Sequence, residues 1–146
     1  RQTAGRAQAS LPSGLAGNLA GITALCIDIE PAVLDGMVTL LRGWGCEVLS
    51  GRSQPEIMAK LKGARALPDI ILADYHLDDG IGLDVIKAVR EVTGRQIPAI
   101  VITADQSPEV QRDIRLQDAG RLRKPLKAAA LRAMLAQYTL RRMAAE

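Results

Sequence analysis

Short apolar runs alternate with amphipathic stretches along the chain from Thr23 onward. A short apolar run predicts a strand, and apolar residues that recur every three or four positions predict a helix. The predicted strands are TALCID, CEVLS, PDIILAD, IPAIVIT and the weaker RLRK. The predicted helices are PAVLDGMVTLLRGWG, QPEIMAKLKGARA, GLDVIKAVREVTG, PEVQRDIRLQDAG and AALRAMLAQYTLRRMAA. The pattern therefore predicts five strands that alternate with five helices.

The alternation also predicts how the strands are joined. A strand that is followed by a helix and another strand needs a crossover connection, and crossovers join parallel strands. The runs DIILAD and AIVIT are almost continuously aliphatic, as expected for central strands that helices cover on both faces. Proline stands at the predicted helix starts Pro31, Pro55, Pro108 and Pro125, where its missing N–H costs little. We therefore predict a doubly wound α/β fold with a parallel sheet.

The first 21 residues, RQTAGRAQASLPSGLAGNLAG, show no such period. Their richness in Gly, Ala, Ser and Gln is typical of a linker. We expect residues 1–21 to be a tether and residues 22–146 to form one domain with its own core. Because the chain begins with Arg rather than Met, we expect it to be part of a longer protein.

Composition narrows the classes of partner. The chain has 48% apolar residues but no Phe, one Trp and two Tyr, so its core is predicted to be aliphatic. A net charge of +3 without a basic patch interleaved with aromatics argues against direct binding of nucleic acid. The basic face of the last helix around Arg132, with Arg121 and Arg123 near it, is an alternative surface for an acidic partner or for a homodimer.

The cysteines and the hydropathy of the chain indicate the cellular compartment in which the protein is expected. Cys26 and Cys46 are isolated, which is typical of reduced, buried thiols and predicts a cytoplasmic location. No apolar stretch approaches the roughly 20 residues that span a bilayer, so we expect no membrane contact by this part of the protein.

Polar residues follow four of the predicted strands, and the carboxyl ends of parallel strands meet at one edge of a sheet. These strand ends read Asp28-Ile29-Glu30, Asp74-Tyr75-His76, Thr103-Ala104-Asp105 and Lys124-Pro125. Clustered acids need a cation, and Mg²⁺ is commonly held by one or two carboxylates with water and phosphate. A lysine and a hydroxyl are suitable donors to a transferred phosphoryl group, and Asp74 is the natural nucleophile.

Each of these residues also has a purely structural interpretation. Asp28 and Glu30 are favourable at the N-terminus of the helix that follows them. Asp74 is a common type of residue at the turn after a strand. Thr103 is a good strand former, and Lys124 is a typical charge on an edge strand. The functional interpretation rests on their common edge and not on any one of them.

Taken in order, the motifs resemble the receiver domain of two-component response regulators, from about Thr23 to Met143. PDIILADYHLDDGIGLDVI resembles the phosphoacceptor stretch, with Gly82 in the loop after the strand. IPAIVITAD and RLRKPL resemble the hydroxyl and Lys-Pro segments. WGCEV and DYHLDDGIGLD are most similar to receivers at the C-terminal end of hybrid sensor histidine kinases.

The resemblance implies a flavodoxin-like sheet with strand order 2-1-3-4-5. It also implies Mg²⁺-dependent transfer of a phosphoryl group to Asp74 from a phosphohistidine, on a histidine kinase or a histidine phosphotransfer domain. The resemblance further implies that Thr103 and Lys124 have the family's catalytic roles. Asp28, Asp74 and the backbone carbonyl of His76 are the implied metal ligands.

Two positions depart from the family's pattern. Ile29 stands where a second acid or an Asn usually follows the first, so we expect weakened affinity for Mg²⁺, with Glu30 or water as the substitute ligand. Arg121 stands where an aromatic is common. The alternative to a phosphoacceptor is therefore a degenerate receiver that acts only as a protein-docking module. A nucleotide or flavin enzyme is disfavoured, because no glycine-rich loop follows the first strand.

Overall fold

The computed structural model describes residues 19–77 and 80–145. Its elements in chain order are β1 (Thr23–Ile27), α1 (Pro31–Gly43), β2 (Glu47–Gly51), α2 (Gln54–Lys62), β3 (Ile70–Asp74), β4 (His76–Leu77), β5 (Gly80–Ile81), α3 (Gly82–Thr93), β6 (Ala99–Thr103), α4 (Pro108–Leu116), β7 (Gly120–Arg123) and α5 (Ala128–Ala145). The described part of the chain contains no helix that is both long enough and apolar enough to cross a membrane.

The main sheet has five strands in the order β2-β1-β3-β6-β7, and every neighbouring pair is parallel. Counted along the chain without the short antiparallel pair β4–β5, this is the order 2-1-3-4-5. The predicted doubly wound, flavodoxin-like α/β fold is therefore confirmed. The register sets Asp74 of β3 beside Ile102 of β6, and Thr103 beside Arg123 of β7.

Alternate residues of the central strands face two separate cores. Leu25, Ile71 and Val101 pack under α2, α3 and α4. Cys26 and Leu72, each the next residue along, pack under α1 and α5. All five residues of β1, β3 and β6 are buried, which explains their continuous apolar sequence. The edge strands β2 and β7 are partly exposed, so their sequence signal is weaker.

Three of the four helix starts that proline marked agree with the structure, whereas the fourth start and several helix ends do not. Pro31, Pro55 and Pro108 stand in the first turns of α1, α2 and α4, as predicted. The expected start at Pro125 is wrong by three residues, because α5 begins at Ala128. The helix predicted to run to Gly120 ends at Leu116, where Asp118 adopts a left-handed φ of 53° and turns the chain into β7.

The N-terminal segment is described only from Leu19, so most of the predicted tether lies outside the described residues. Leu19 itself is only 1% exposed and belongs to the core under α1 and α5. The ordered packing of the domain thus begins before β1.

Candidate functional site

A cleft of about 510 Å³ opens at the carboxyl edge of the main sheet. Its lining residues come from the loops after β1, β3, β6 and β7, and they are Ile29, Glu30, Asp74, His76, Thr103, Ala104, Asp105 and Lys124. Four loops meet here because the parallel strands all end at this edge. The structure therefore brings Glu30, Asp74, His76, Thr103 and Lys124 to one place.

Asp74 and Lys124 form an ion pair in this cleft. The Nζ atom of Lys124 lies 3.0 Å from Oδ1 of Asp74. The Asp74 side chain is 4% exposed and that of Lys124 is 30% exposed, so the lysine extends from the cleft opening towards the cleft floor. Asp74 is the last residue of β3, and Lys124 directly follows β7, so the pair spans the end of β6. The peptide bond between Lys124 and Pro125 is cis.

Thr103 lies between these two residues at the end of β6. It is 1% exposed, and its carbonyl accepts a hydrogen bond of 3.0 Å from the backbone N–H of Lys124. Its Oγ1 accepts a hydrogen bond of 3.0 Å from the backbone N–H of Asp105. A hydroxyl that accepts a bond still carries its own hydrogen for donation. The Thr103 hydroxyl is thus held in place by the bond that it accepts and is able to donate another.

Asp28 directly precedes the cleft residues Ile29 and Glu30, but it is fully buried and does not itself line the cleft. Its Oδ1 accepts a hydrogen bond of 2.9 Å from the N–H of Glu30, whereas Oδ2 is buried and has no hydrogen-bond partner. Burial raises the pKa of Asp28, the Glu30 N–H lowers it, and the nearby Asp74 carboxylate raises it. Asp28 therefore belongs to the same acidic site as Asp74, with one free oxygen.

We expect Asp28→Asn to raise the free energy of unfolding at neutral pH by about 1 kcal/mol. Because the folded-state pKa of Asp28 lies above its usual value, the native state favours the neutral carboxyl. The contribution of this group to stability is complete below the unfolded pKa and is lost as pH rises through the folded pKa. A neutral amide avoids that loss.

Urea unfolding of wild type and variant at neutral pH measures the difference. Asp35→Asn, at an exposed position of α1, is the matched control and should change stability by less than about 0.5 kcal/mol. A variant that is less stable than wild type would contradict the expectation.

The loop that carries Asp28 is held from a neighbouring strand end. The N–H of Asp28 donates to the carbonyl of Gly51 at 3.3 Å, and Nε of Arg52 donates to the carbonyl of Ile29 at 3.1 Å. Arg52 was not predicted as a residue of this site. Its position directly after β2, at the edge where the other site residues lie, was the available signal.

His76 and Asp105 lie at the exposed opening of the cleft. The His76 ring is exposed and meets the Tyr75 ring edge to face, with centroids 4.8 Å apart. Hydrogen bonds from Ser107 lower the pKa of Asp105. The side chain of His76 borders the cleft, and its carbonyl belongs to β4 directly after the Asp74 strand.

Gly82 packs against the backbone at the end of β3, next to the site. It is the first residue of α3 and not, as expected, a loop residue. Its N–H donates to the carbonyl of Tyr75 at 2.7 Å, and an added Cβ would overlap the backbone oxygen of Asp74. Only glycine allows α3 to start this close to the end of β3.

The donor set can be compared with the needs of Mg²⁺. No group of three or more His, Cys, Asp or Glu side chains within residues 19–77 and 80–138 is arranged to hold a metal. Two carboxylates, Asp28 with its unpartnered oxygen and Asp74, do share the site. Mg²⁺ is commonly held by one or two carboxylates plus water and phosphate, so these residues fit it. Ile29, which lines the cleft, contributes no side-chain ligand.

An apolar groove of about 800 Å³ adjoins the cleft along α1. It shares Glu30, Ala104 and Lys124 with the cleft, and its remaining lining residues are Ala32, Val33, Gly36, Met37, Leu40, Ile102, Pro125 and Leu126. An apolar surface next to a polar site is suited to hold a partner while the polar site reacts.

Solved structures provide the comparison with known proteins. The chemotaxis protein CheY4 of Vibrio cholerae is 26% identical, with a TM-score of 0.73 over 82% of this chain and 99% of that chain. A CheY-like response regulator receiver domain protein of Methanospirillum hungatei is 20% identical, with a TM-score of 0.75 over 86% of this chain and 98% of that chain. A two-component response regulator of Clostridium difficile is 23% identical, with a TM-score of 0.72 over 84% and 98%.

Two comparisons use the sequence. The search of curated proteins found no match to the chain. The family described as the response regulator receiver domain matches residues 24–136, which is most of the chain. This chain therefore belongs to the response regulator receiver domain family of two-component signalling.

Proposed function

We propose that this domain accepts a phosphoryl group on Asp74 from a phosphohistidine of a histidine kinase or a histidine phosphotransfer domain. The supporting observation is the buried Asp74 carboxylate, which is paired with Lys124 at 3.0 Å beside the Thr103 hydroxyl. A carboxylate oxygen attacks phosphorus, a P–O bond forms, and the P–N bond to the donor imidazole breaks with the electron pair staying on nitrogen. Lys124 and Thr103 donate hydrogen bonds to the phosphoryl oxygens.

Asp28, Asp74 and the backbone carbonyl of His76 are the proposed Mg²⁺ ligands, with Glu30 as an additional candidate at the cleft rim. The bound cation would offset the repulsion between an incoming phosphoryl group and the carboxylates. Burial of Asp28 with one oxygen free supports this assignment, because such an oxygen is costly unless a cation or a donor reaches it.

The direct test uses a small phosphodonor. The 146-residue protein is incubated with acetyl phosphate, with and without Mg²⁺, and its intact mass is measured before and after brief base treatment. We expect one phosphoryl adduct that requires Mg²⁺ and is lost in base, as an acyl phosphate is. Unmodified protein under all conditions would overturn the proposed phosphoacceptor function.

We propose that the apolar groove along α1 receives the donor protein. Gly36→Arg should then slow transfer from a phosphorylated histidine phosphotransfer domain by about tenfold, because a long cationic side chain would occupy the groove. Modification by acetyl phosphate should not change. Rapid-mixing transfer assays measure the rate.

Gly43→Arg is the matched control, because Gly43 also lies in α1 with open space at its Cβ position but does not line the groove. It should transfer at the wild-type rate. Equal rates for Gly36→Arg and Gly43→Arg would exclude the groove as the donor surface.

A second candidate function is a degenerate receiver that docks proteins without being phosphorylated. The observation that favours it is Ile29, an aliphatic side chain on the cleft wall next to the metal-site acids. We expect Ile29→Asp to raise the affinity for Mg²⁺ by about tenfold, because it adds a carboxylate to the ligand set. Isothermal titration measures the affinity, and Ile29→Asn separates the added charge from the lost apolar surface. Unchanged affinity would mean that Glu30 already serves as the ligand.

We further propose that residues 22–146 are the receiver domain of a hybrid sensor histidine kinase in the cytoplasm, attached through residues 1–21. The segments WGCEV and DYHLDDGIGLD support this assignment. A histidine kinase domain in the same reading frame, in the gene that encodes this chain, is the expected finding.

We propose a second surface for protein contacts on the edge strand β7. The basic residues Arg121 and Arg123 are both exposed there, and they are the candidate surface for a homodimer or an acidic partner.

A further inference from the structure

One peptide unit connects Asp28 to a residue that follows the neighbouring strand. The N–H of Glu30 donates to Oδ1 of Asp28 at 2.9 Å, and the carbonyl of Ile29, in the same peptide unit, accepts from Nε of Arg52 at 3.1 Å. This peptide is trans, so its N–H and its C=O point in opposite directions. Asp28 and Arg52 therefore contact the two ends of one peptide dipole.

The backbone on either side of this peptide unit is fixed by other bonds. The Asp28 N–H donates to the Gly51 carbonyl at 3.3 Å, and the Glu30 carbonyl accepts from the N–H of Leu34, in the first turn of α1, at 3.0 Å. Neither bond involves the peptide unit between Ile29 and Glu30. Rotation of that unit would turn the Ile29 oxygen towards the Asp28 carboxylate, and a donor to this oxygen opposes the rotation.

Arg52 is itself held by the start of α2. Its backbone N–H donates to Oε1 of Glu56 at 2.9 Å, and the N–H of Glu56 donates to Oγ of Ser53 at 3.3 Å. These two bonds fix the backbone of Arg52 to the first turn of α2. The Arg52 side chain, which is exposed, thus extends from a fixed backbone to the loop after β1.

We propose that Arg52 is a positioning residue for the metal site. By holding the Ile29 carbonyl, it keeps the Glu30 N–H on Oδ1 of Asp28 and leaves Oδ2 as the oxygen for Mg²⁺. Oδ2 is the Asp28 oxygen that is buried without a hydrogen-bond partner. A hydrogen bond at one end of a peptide unit polarises the unit and strengthens the bond at its other end. The inference rests on the proposed function only in taking Asp28 as a metal ligand.

Two neutral variants separate this hydrogen bond from the charge of Arg52. The amide nitrogen of glutamine is as many bonds from Cα as Nε is in arginine, so Arg52→Gln keeps a donor at that place. Methionine has a methyl group there, so Arg52→Met has no donor. Both variants remove the same positive charge, so the electrostatic effect on Mg²⁺ is equal in the two.

The first measurement is hydrogen exchange of the Glu30 amide by NMR, on the metal-free 146-residue protein. We expect this amide to exchange at least about threefold faster in Arg52→Met than in Arg52→Gln, because a weakened hydrogen bond opens more often. Arg112→Met, at an exposed position of α4, removes a charge elsewhere and should match wild type.

The second measurement is isothermal titration with Mg²⁺. Arg52→Met should bind Mg²⁺ about threefold more weakly than Arg52→Gln, as expected for the loss of one hydrogen bond of modest net strength. Equal Glu30 exchange in these two variants would overturn the proposal, as would equal affinities for Mg²⁺. Faster exchange throughout β1 and β3 in Arg52→Met would assign the effect to a general loss of stability and would also overturn it.

Failure of this inference is distinguishable from failure of the proposed function, because neither measurement uses a phosphodonor. Wild-type protein that binds Mg²⁺ but forms no adduct with acetyl phosphate would overturn the phosphoacceptor function alone. Wild-type protein that binds no Mg²⁺ would overturn the metal role of Asp28, and with it the role of Arg52.

Discussion

Asp74→Asn is expected to lower formation of the base-labile phosphoryl adduct by at least about 100-fold. The amide has no negative charge with which to attack phosphorus, and an asparagine cannot form an acyl phosphate. It also leaves the Nζ atom of Lys124 without the carboxylate oxygen that now lies 3.0 Å away. Intact mass after incubation with acetyl phosphate and Mg²⁺ measures the adduct.

Asp84→Asn is the matched control for this experiment. Asp84 lies in the first turn of α3, is exposed and does not line the cleft. Its variant should form the adduct at the wild-type level. An adduct of normal yield on Asp74→Asn would place the phosphoryl group on another residue, and peptide mapping would then identify it.

Gly82→Ala should destabilise the domain by at least about 2 kcal/mol. The added Cβ would overlap the backbone oxygen of Asp74 and would lie 3.1 Å from its carbonyl carbon and 3.2 Å from the Cβ of Ala73. Backbone atoms cannot move aside as a flexible side chain does, so α3 must shift away from β3. Because this shift displaces the end of β3, we also expect less adduct on Asp74.

Gly36→Ala is the control with the opposite sign. A Cβ at Gly36 meets no atom within 4 Å, and the residue lies inside α1. Its replacement should raise stability by about 0.5 to 1 kcal/mol, because alanine loses less backbone freedom in a helix than glycine. Urea unfolding of both variants measures whether the free energy of unfolding falls for Gly82→Ala and rises for Gly36→Ala. Equal stability of Gly82→Ala and wild type would show that α3 adjusts without cost.

Sequence patterns predicted most of the fold because each signal there is local. The buried strands β3 and β6 stood out as aliphatic runs, and the prolines at positions 31, 55 and 108 marked three helix starts. The sequence did not predict helix ends that depend on the backbone conformation of a single residue. The C-terminus of α4 depends on the left-handed turn at Asp118, and Asp118 looks like any other acid in the sequence.

The candidate site was predictable to the level of strand ends. Asp28, Asp74, Thr103 and Lys124 each follow or end a strand, so parallel topology alone brings them to one edge. The pairing of Lys124 with Asp74 and the bond from Arg52 to the Ile29 carbonyl were not predictable. Side-chain reach across neighbouring strands depends on register and rotamers, which leave no periodic trace in the sequence.

The sequence by itself determined the kind and order of the five helices and of the five strands in the main sheet, though not the short pair β4–β5. Through that order it determined which residues end at the carboxyl edge of the sheet. Only the tertiary structure decided that one oxygen of Asp28 is buried without a partner, that α3 begins against the Asp74 backbone, and that Leu19 belongs to the core. The physical reason is range. The period of apolar residues predicts an element from residues that are close together in the chain. Burial, close approach and charge pairing depend instead on segments that meet only after folding.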